Sequence, residues 1–194
     1  MILEDIKSET AVFHAKVEAS ALMSPITSKK ITKDQYIHIL NVFYAYFSGI
    51  EQQIDQVSDI MNFLPDYTTR RKSEWLLVDL EHLHAEMEPA TDIVLPEITT
   101  IAQALGALYV MEGSTLGGRF ISMTLKESMG IDASSGTLFF NGYGPETGTK
   151  WTGFKQALTD YCTDEQKSQD VIAVANETFS KFYDWIVKAG SKID

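Results

Sequence analysis

The chain has 194 residues, enough for one domain with a sizeable core, and its 44% apolar and 22% charged residues are ordinary for a globular protein. Its net charge of −11 and isoelectric point near 4.7 argue against nucleic acid or an anionic membrane surface as the main partner. The acidic N-terminal segment is unlike a signal peptide, and no apolar run reaches the ~20 residues of a membrane span, which predicts a cytoplasmic protein.

The first two helices are predicted from apolar residues that recur every three or four positions. One covers residues 2–23, and His14 lies at the edge of its apolar face. Lys7 lies on the same edge, two turns earlier and ~10 Å away along the axis. The second helix covers residues 32–61 and begins with a capping box at Thr32.

The remaining segments continue the helical pattern. A third helix is predicted over residues 66–87 and a fourth over residues 98–127. Residues 130–148, rich in Gly, Ser and Asn, are predicted to form a loop with aromatic anchors, before helices over residues 151–161 and 165–188. No segment alternates with the period of a strand, so the fold class is predicted to be all-α, in a single domain.

The fourth helix is unusual because it contains four glycines, each of which costs about 1 kcal/mol relative to alanine. Gly106, Gly113 and Gly117 fall on one narrow side of this helix, which therefore presents bare backbone. Either another helix or a flat ligand is expected to approach that side closely. Gly118 follows Gly117 directly, and such a pair weakens a helix where kinks tend to occur.

The sequence offers three candidate chemical sites: a di-metal site, a cysteine nucleophile and a haem site. A di-metal carboxylate site needs two Glu-x-x-His pairs, and the chain has one, ending at His84. Cys162, the only cysteine, has no nucleophile motif around it. A lone histidine such as His14 is most often a packed core residue. Together with the cation of Lys7 and a glycine wall, however, it offers the iron ligand, the anion partner and the close approach that a haem requires.

Two motifs resemble those of the haem oxygenases. Residues 7–18, Lys-Ser-Glu-Thr-Ala-Val-Phe-His-Ala-Lys-Val-Glu, resemble the family's first helix, whose histidine is the proximal haem ligand. Residues 108–118, Leu-Tyr-Val-Met-Glu-Gly-Ser-Thr-Leu-Gly-Gly, are similar to the distal helix of the bacterial, biliverdin-producing branch. The segment 139–144 and Trp151 also look like that branch. The resemblance covers most of the chain and implies a haem-oxygenase-like helical bundle over residues 1–194.

The resemblance implies oxidative opening of haem to biliverdin, carbon monoxide and ferrous iron. Dioxygen and electrons from a ferredoxin or an NADPH-dependent reductase would be required. His14 would bind the iron, and Lys7 would pair with a propionate. The residues implied to contact haem are Lys7, Thr10, His14, Gly113, Gly117 and Gly118. Gly113, Ser114 and Gly117 would form the catalytic distal side, where the glycines let the helix bend.

Ser114 departs from the family pattern, because many members have an aspartate there that holds a catalytic water. A serine positions water through a neutral hydroxyl. A haem carrier or sensor without turnover is therefore an alternative. A second alternative is a thiamin-degrading enzyme of the related fold, which would need Cys162 as its nucleophile. The further propionate contacts are left open among Lys150, Lys155, Tyr143 and Arg119.

Overall fold

The structure, a computed structural model, describes residues 1–190, and within this range it is helical and without β-strands. The α-helices are α1 Ile2–Glu18, α2 Ser24–Thr27, α3 Lys33–Ile54, α4 Ile60–Phe63, α5 Glu74–His82, α6 Ile101–Met129, α7 Leu138–Asn141, α8 Thr147–Tyr161 and α9 Glu165–Gly190. Short 3₁₀ turns cover Tyr67–Thr69 and Gly144–Glu146. The all-α prediction is confirmed. Within the described range, no helix combines the length and hydropathy needed to cross a bilayer.

The first two predicted helices are shorter than their apolar patterns suggested. The helix predicted over residues 2–23 ends at Glu18, and buried Leu22 and Met23 continue the pattern from the turn beyond it. The helix predicted over residues 32–61 ends at Ile54, although its capping box at Thr32 is present. Buried apolar residues in the following turns prolong the pattern, so periodicity alone does not show where these helices stop.

The third predicted helix, over residues 66–87, was wrong at both ends, because α5 begins at Glu74 and ends at His82. The backbone N–H groups just before α5 bind distant side chains instead of helix carbonyls. The N–H of Arg71 donates to the Tyr143 hydroxyl (2.8 Å), and the N–H of Ser73 donates to the Glu51 carboxylate (2.8 Å). Tertiary hydrogen bonds therefore override the local helical pattern here.

The core is organised around α9, against which both α1 and α6 pack. Beneath it lies a cluster of aromatic rings, in which Phe43 and Phe182 meet edge to face with centroids 5.1 Å apart. Two polar groups in this core have partners: the Tyr46 hydroxyl donates to the carbonyl of Thr178 (2.8 Å), and the Trp185 indole donates to the carbonyl of Val42 (2.9 Å). Because α1 and α6 share this support, a gap is left between them.

The glycines of α6 serve two purposes. A Cβ added to Gly106 would lie 2.5 Å from the carbonyl oxygen of Val171 on α9, and one added to Gly118 would collide with the Phe140 carbonyl. One added to Gly117, by contrast, would meet nothing within 4 Å. The bare side therefore packs against a helix at Gly106, as one expectation had it, and faces open space at Gly117, where the approach of a flat ligand stays a prediction.

The short helix α7 is held by one buried carboxylate. Asp79 accepts the N–H of Leu138 at 2.7 Å and the N–H of Phe139 at 2.9 Å, and its side chain has no exposed surface. Burial raises the pKa of Asp79 to about 6, although these two hydrogen bonds oppose the shift.

Alanine substitutions distinguish the glycine that allows α9 to pack closely from the glycine that faces open space. We expect Gly106→Ala to lower the free energy of unfolding by about 1–3 kcal/mol, because α9 must move away from the new methyl group. Gly117→Ala should leave it unchanged or raise it by up to about 1 kcal/mol, the gain in helix propensity. Chemical denaturation of the ligand-free protein measures both, and equal losses in the two variants would contradict this assignment.

Asp79 predicts a dependence of stability on pH. Its folded pKa of about 6 lies above the unfolded value of 3.8, so its contribution is greatest at low pH and is lost as pH rises through 6. Relative to Asp79→Asn, which does not titrate, the wild type should gain about 2.5 kcal/mol between pH 7 and pH 4. Parallel denaturation curves at several pH values test this, and a constant difference would rule it out.

Candidate functional site

The gap between α1 and α6 is a slot made of two adjoining cavities of about 110 and 550 Å³. His14 on α1, Gly113 on α6 and Phe179 on α9 line both. Apart from Glu18, Ser114 and Gly117, the other residues that line the smaller cavity are apolar: Val17, Met23, Phe43, Phe47, Val110, Ile121, Phe140 and Phe182. The two surfaces that the sequence analysis singled out therefore face the same space, open to a flat apolar guest.

The imidazole of His14 is accessible from the slot, since 55% of its side chain is exposed. Its Nδ1 lies 3.6 Å from Oε2 of Glu18, one turn later, and the Phe179 ring meets it edge-on with centroids 5.6 Å apart. A carboxylate at Nδ1 favours a proton on that nitrogen, which leaves the lone pair of Nε2 available to a metal ion.

The α6 wall of the smaller cavity includes Gly113, Ser114 and Gly117, flanked by Val110 and Ile121. A Cβ added to Gly113 would make ordinary contact with the Trp151 ring at 3.7 Å, so this glycine is bare on the slot side. Gly118 is not brought to the slot, because its position on α6 turns it toward the backbone of Phe140. The expected contact of Gly118 with the guest therefore has no geometric support.

The larger cavity carries two lysines, Lys7 from α1 and Lys155 from α8. Thr10 and Tyr109 also line it, and the buried Thr10 hydroxyl donates to the Ile6 carbonyl at 2.6 Å. Burial raises the pKa of Tyr109, so its hydroxyl stays protonated. Two ammonium groups at the mouth of an apolar slot suit a guest that carries carboxylates at one edge.

Of the four residues left open as further anion partners, Lys155 is the one that the structure brings to the slot. Lys150 pairs with Asp66 at 2.8 Å. Tyr143 donates to Glu112 at 2.8 Å behind α6, and Arg119 lines a separate surface cleft. Spacing along one helix could not identify Lys155, because its place depends on how α8 meets α1.

A buried ion pair fixes α6 to the segment before α5. Nη1 of Arg70 lies 2.6 Å from Oε2 of Glu112, and both side chains are 3–4% exposed. Nε of Arg70 also donates to Asp66 at 2.9 Å. Burial opposes the charge of Arg70, but the carboxylates of Glu112 and Asp66 outweigh it and raise the pKa of Arg70. The Tyr143 hydroxyl donates to the other Glu112 oxygen, so the carboxylate is fully engaged.

Comparison with known proteins shows the family of the chain. A sequence profile described as "Heme oxygenase" matches residues 1–188. The chain belongs to the heme oxygenase family. A heme oxygenase of Xanthomonas campestris is 27% identical over 164 residues, covering 84% of this chain and 94% of that protein. As a member of this family, the chain is a haem-degrading enzyme and haem is its substrate.

Solved structures show the same fold. A heme oxygenase from Neisseria meningitidis, described with NO and CO bound, has a TM-score of 0.81 at 19% identity, covering 98% of this chain and 92% of that chain. A heme oxygenase from Leptospira interrogans has a TM-score of 0.77 at 15% identity, covering 96% and 98%. The predicted haem-oxygenase-like helical fold is therefore confirmed.

The alternative that depended on a reactive cysteine finds no support in the geometry. Cys162 follows the end of α8 and lines neither cavity of the slot. Burial raises the pKa of its thiol, which reduces the fraction present as thiolate.

Arg70 pairs with two carboxylates, and neutralising the buried one should cost more stability than neutralising the exposed one. Glu112→Gln should lower the free energy of unfolding by about 3 kcal/mol, because it leaves a buried guanidinium short of its main counter-ion. Asp66→Asn changes a partner of the same arginine that is 38% exposed, and it should cost at most about 1 kcal/mol. Denaturation curves at pH 7 measure both costs. A loss for Asp66→Asn as large as that for Glu112→Gln would be evidence against a dominant buried pair.

Proposed function

We propose that this enzyme binds haem between α1 and α6 and opens it to biliverdin, carbon monoxide and ferrous iron, with dioxygen and electrons from a ferredoxin or an NADPH-dependent reductase. The observation that carries the proposal is the slot itself, where His14 faces Gly113 and Gly117. Bound haem would supply the redox chemistry, and the protein supplies the ligand, orientation and exclusion of water. A single domain and a cytoplasmic location are part of this proposal.

His14 is the proposed proximal iron ligand. Its exposed imidazole lies on the slot wall formed by α1, and Glu18 can accept a hydrogen bond from Nδ1 and so orient Nε2. A neutral imidazole ligand leaves the opposite face of the haem for dioxygen, which is where α6 lies.

Lys7 and Lys155 are proposed to pair with the propionates, because both line the wider cavity. Thr10 lies between Lys7 and His14 along α1 and lines the same cavity, and its hydroxyl donates its proton to the Ile6 carbonyl. The pairs are partly exposed, so they orient the haem more than they contribute affinity.

The α6 wall is proposed to determine where oxygen chemistry occurs. Without side chains at Gly113 and Gly117, the helix backbone can lie directly over the haem face and restrict which edge is attacked. The aromatic lining on the other side keeps bulk water out of the slot. A methyl group at Gly117 would meet open space in the protein but would occupy the volume proposed for the guest.

Haemin titration followed by addition of ascorbate in air tests the proposal. The wild type should develop a Soret band with one equivalent of haemin and then convert it to the absorption of biliverdin. His14→Ala should bind haemin at least about tenfold more weakly and should not turn over, because the iron loses its protein ligand. Lys16→Ala, on the same helix but outside both cavities, is the matched control and should behave as wild type.

The same experiment separates the alternatives. A stable Soret band that never converts to biliverdin absorption would make the protein a haem carrier, the reading that Ser114 had left open. Failure of the wild type to bind haemin at all would overturn the proposed site.

A further inference from the structure

Arg71 is a buried cation that the proposed function does not use. It is 5% exposed and lies in the segment before α5, with its guanidinium carbon 4.0 Å from the centroid of the Phe139 ring. Its Nη2 donates to Oγ of Ser114 at 2.7 Å and also to the Met111 carbonyl. Its Nη1 is buried and has no hydrogen-bond partner among the described residues. Burying a guanidinium nitrogen without a hydrogen-bond partner destabilises the fold, so we expect Arg71 to have a role that offsets this cost.

No carboxylate in the described structure is bonded to the Arg71 guanidinium. The three titratable groups that act on it are Glu112, Tyr143 and Glu51. Glu112 is engaged by Arg70 and by Tyr143, and Glu51 accepts hydrogen bonds from Ser73. The charge of Arg71 is therefore only partly compensated, and the group it reaches on the slot side is a neutral hydroxyl.

The Ser114 hydroxyl already uses its one donor site and one of its two acceptor sites. Its hydroxyl proton is donated to the Met111 carbonyl at 2.7 Å, and one lone pair accepts from Arg71. A hydroxyl has one donor and two acceptor sites, so a single acceptor site of Ser114 remains. Ser114 lines the smaller cavity of the slot, next to Gly113. In this arrangement, it can accept a hydrogen bond from a group in the slot but cannot donate one.

We propose that Arg71 is a positioning residue of the distal side, which holds Ser114 as a hydrogen-bond acceptor and places a positive charge directly behind it. A water that donates one hydrogen to Ser114 has its other hydrogen free to point at a ligand on the haem. The neutral serine and the buried arginine together thus orient a water as a donor, and the charge behind them favours electron density that develops on the distal ligand. This inference rests on the proposed haem site.

The charge can be tested in haem-free protein by changing Ser114 to a matched pair of residues. Ser114→Asp brings a carboxylate to the uncommitted guanidinium, whereas Ser114→Asn brings an amide of the same shape. We expect the aspartate variant to have the higher Tm at pH 7.5, by about 4 °C or more. With Arg71→Met added, the order should reverse, because the carboxylate would then be buried without a partner.

These melting curves do not depend on haem, so they can fail while the proposed function stands, and the reverse also holds. An aspartate variant less stable than the asparagine variant, with Arg71 in place, would overturn the inference. That comparison decides the question even if Arg71→Met does not fold.

Carbon monoxide bound to the haem complex can report the electric field that the charge of Arg71 produces on the distal side. A positive charge near the oxygen end of bound carbon monoxide weakens the C–O bond, so Arg71→Met should move the stretching band to higher wavenumber. Arg71→Lys, which keeps the charge, should stay nearer the wild-type value. Turnover should fall by on the order of tenfold in Arg71→Met. An unchanged band and an unchanged rate in a folded, haem-binding Arg71→Met variant would show that Arg71 is only a packing residue.

Discussion

The rest of the structure depends on how closely the backbone of α6 can be approached. Gly106 brings α9 against it and Gly118 brings α7 against it, and in both places the neighbour is backbone rather than a side chain that could yield. The turn between these contacts, with Gly113 and Gly117, is therefore held at a fixed depth. A helix with ordinary side chains at these positions would either push its neighbours away or fill the slot, and no haem could then lie against its backbone.

The chain is strongly acidic as a whole, but cations predominate around the slot. The net charge is −11, yet the slot is lined by Lys7 and Lys155 with Arg71 behind Ser114, and by one carboxylate from the described part of the chain, that of Glu18. Long-range repulsion from distant carboxylates is screened within about 10 Å at ordinary ionic strength, so an anionic guest would respond mainly to the charges closest to it. Lys7 and Lys155 in the slot lining would therefore decide where the carboxylates of such a guest lie.

Much of the fold could be predicted from periodicity, and the slot from two short motifs. The capping box at Thr32 and the position of His14 on an exposed edge hold in the structure. The start of α5 could not be predicted, because residues before it bind Tyr143 and Glu51, which lie far away in sequence. Phe179, the third residue shared by both cavities, has the spacing of the buried apolar residues of α9, and no local signal marks it as part of the slot. The bend of α6 at its glycines stays a prediction.

The two walls of the slot are anchored very differently. The α6 wall is tied by the Arg70–Glu112 pair, by Tyr143 and by close backbone contacts, each of which must break before it moves. The α1 wall packs mainly against α9, and α1 has three buried residues and no buried ion pair within the part of the chain that the structure describes. If haem binds as proposed, entry of this flat substrate and escape of its longer, ring-opened product would therefore break fewer contacts on the α1 side of the slot than on the α6 side.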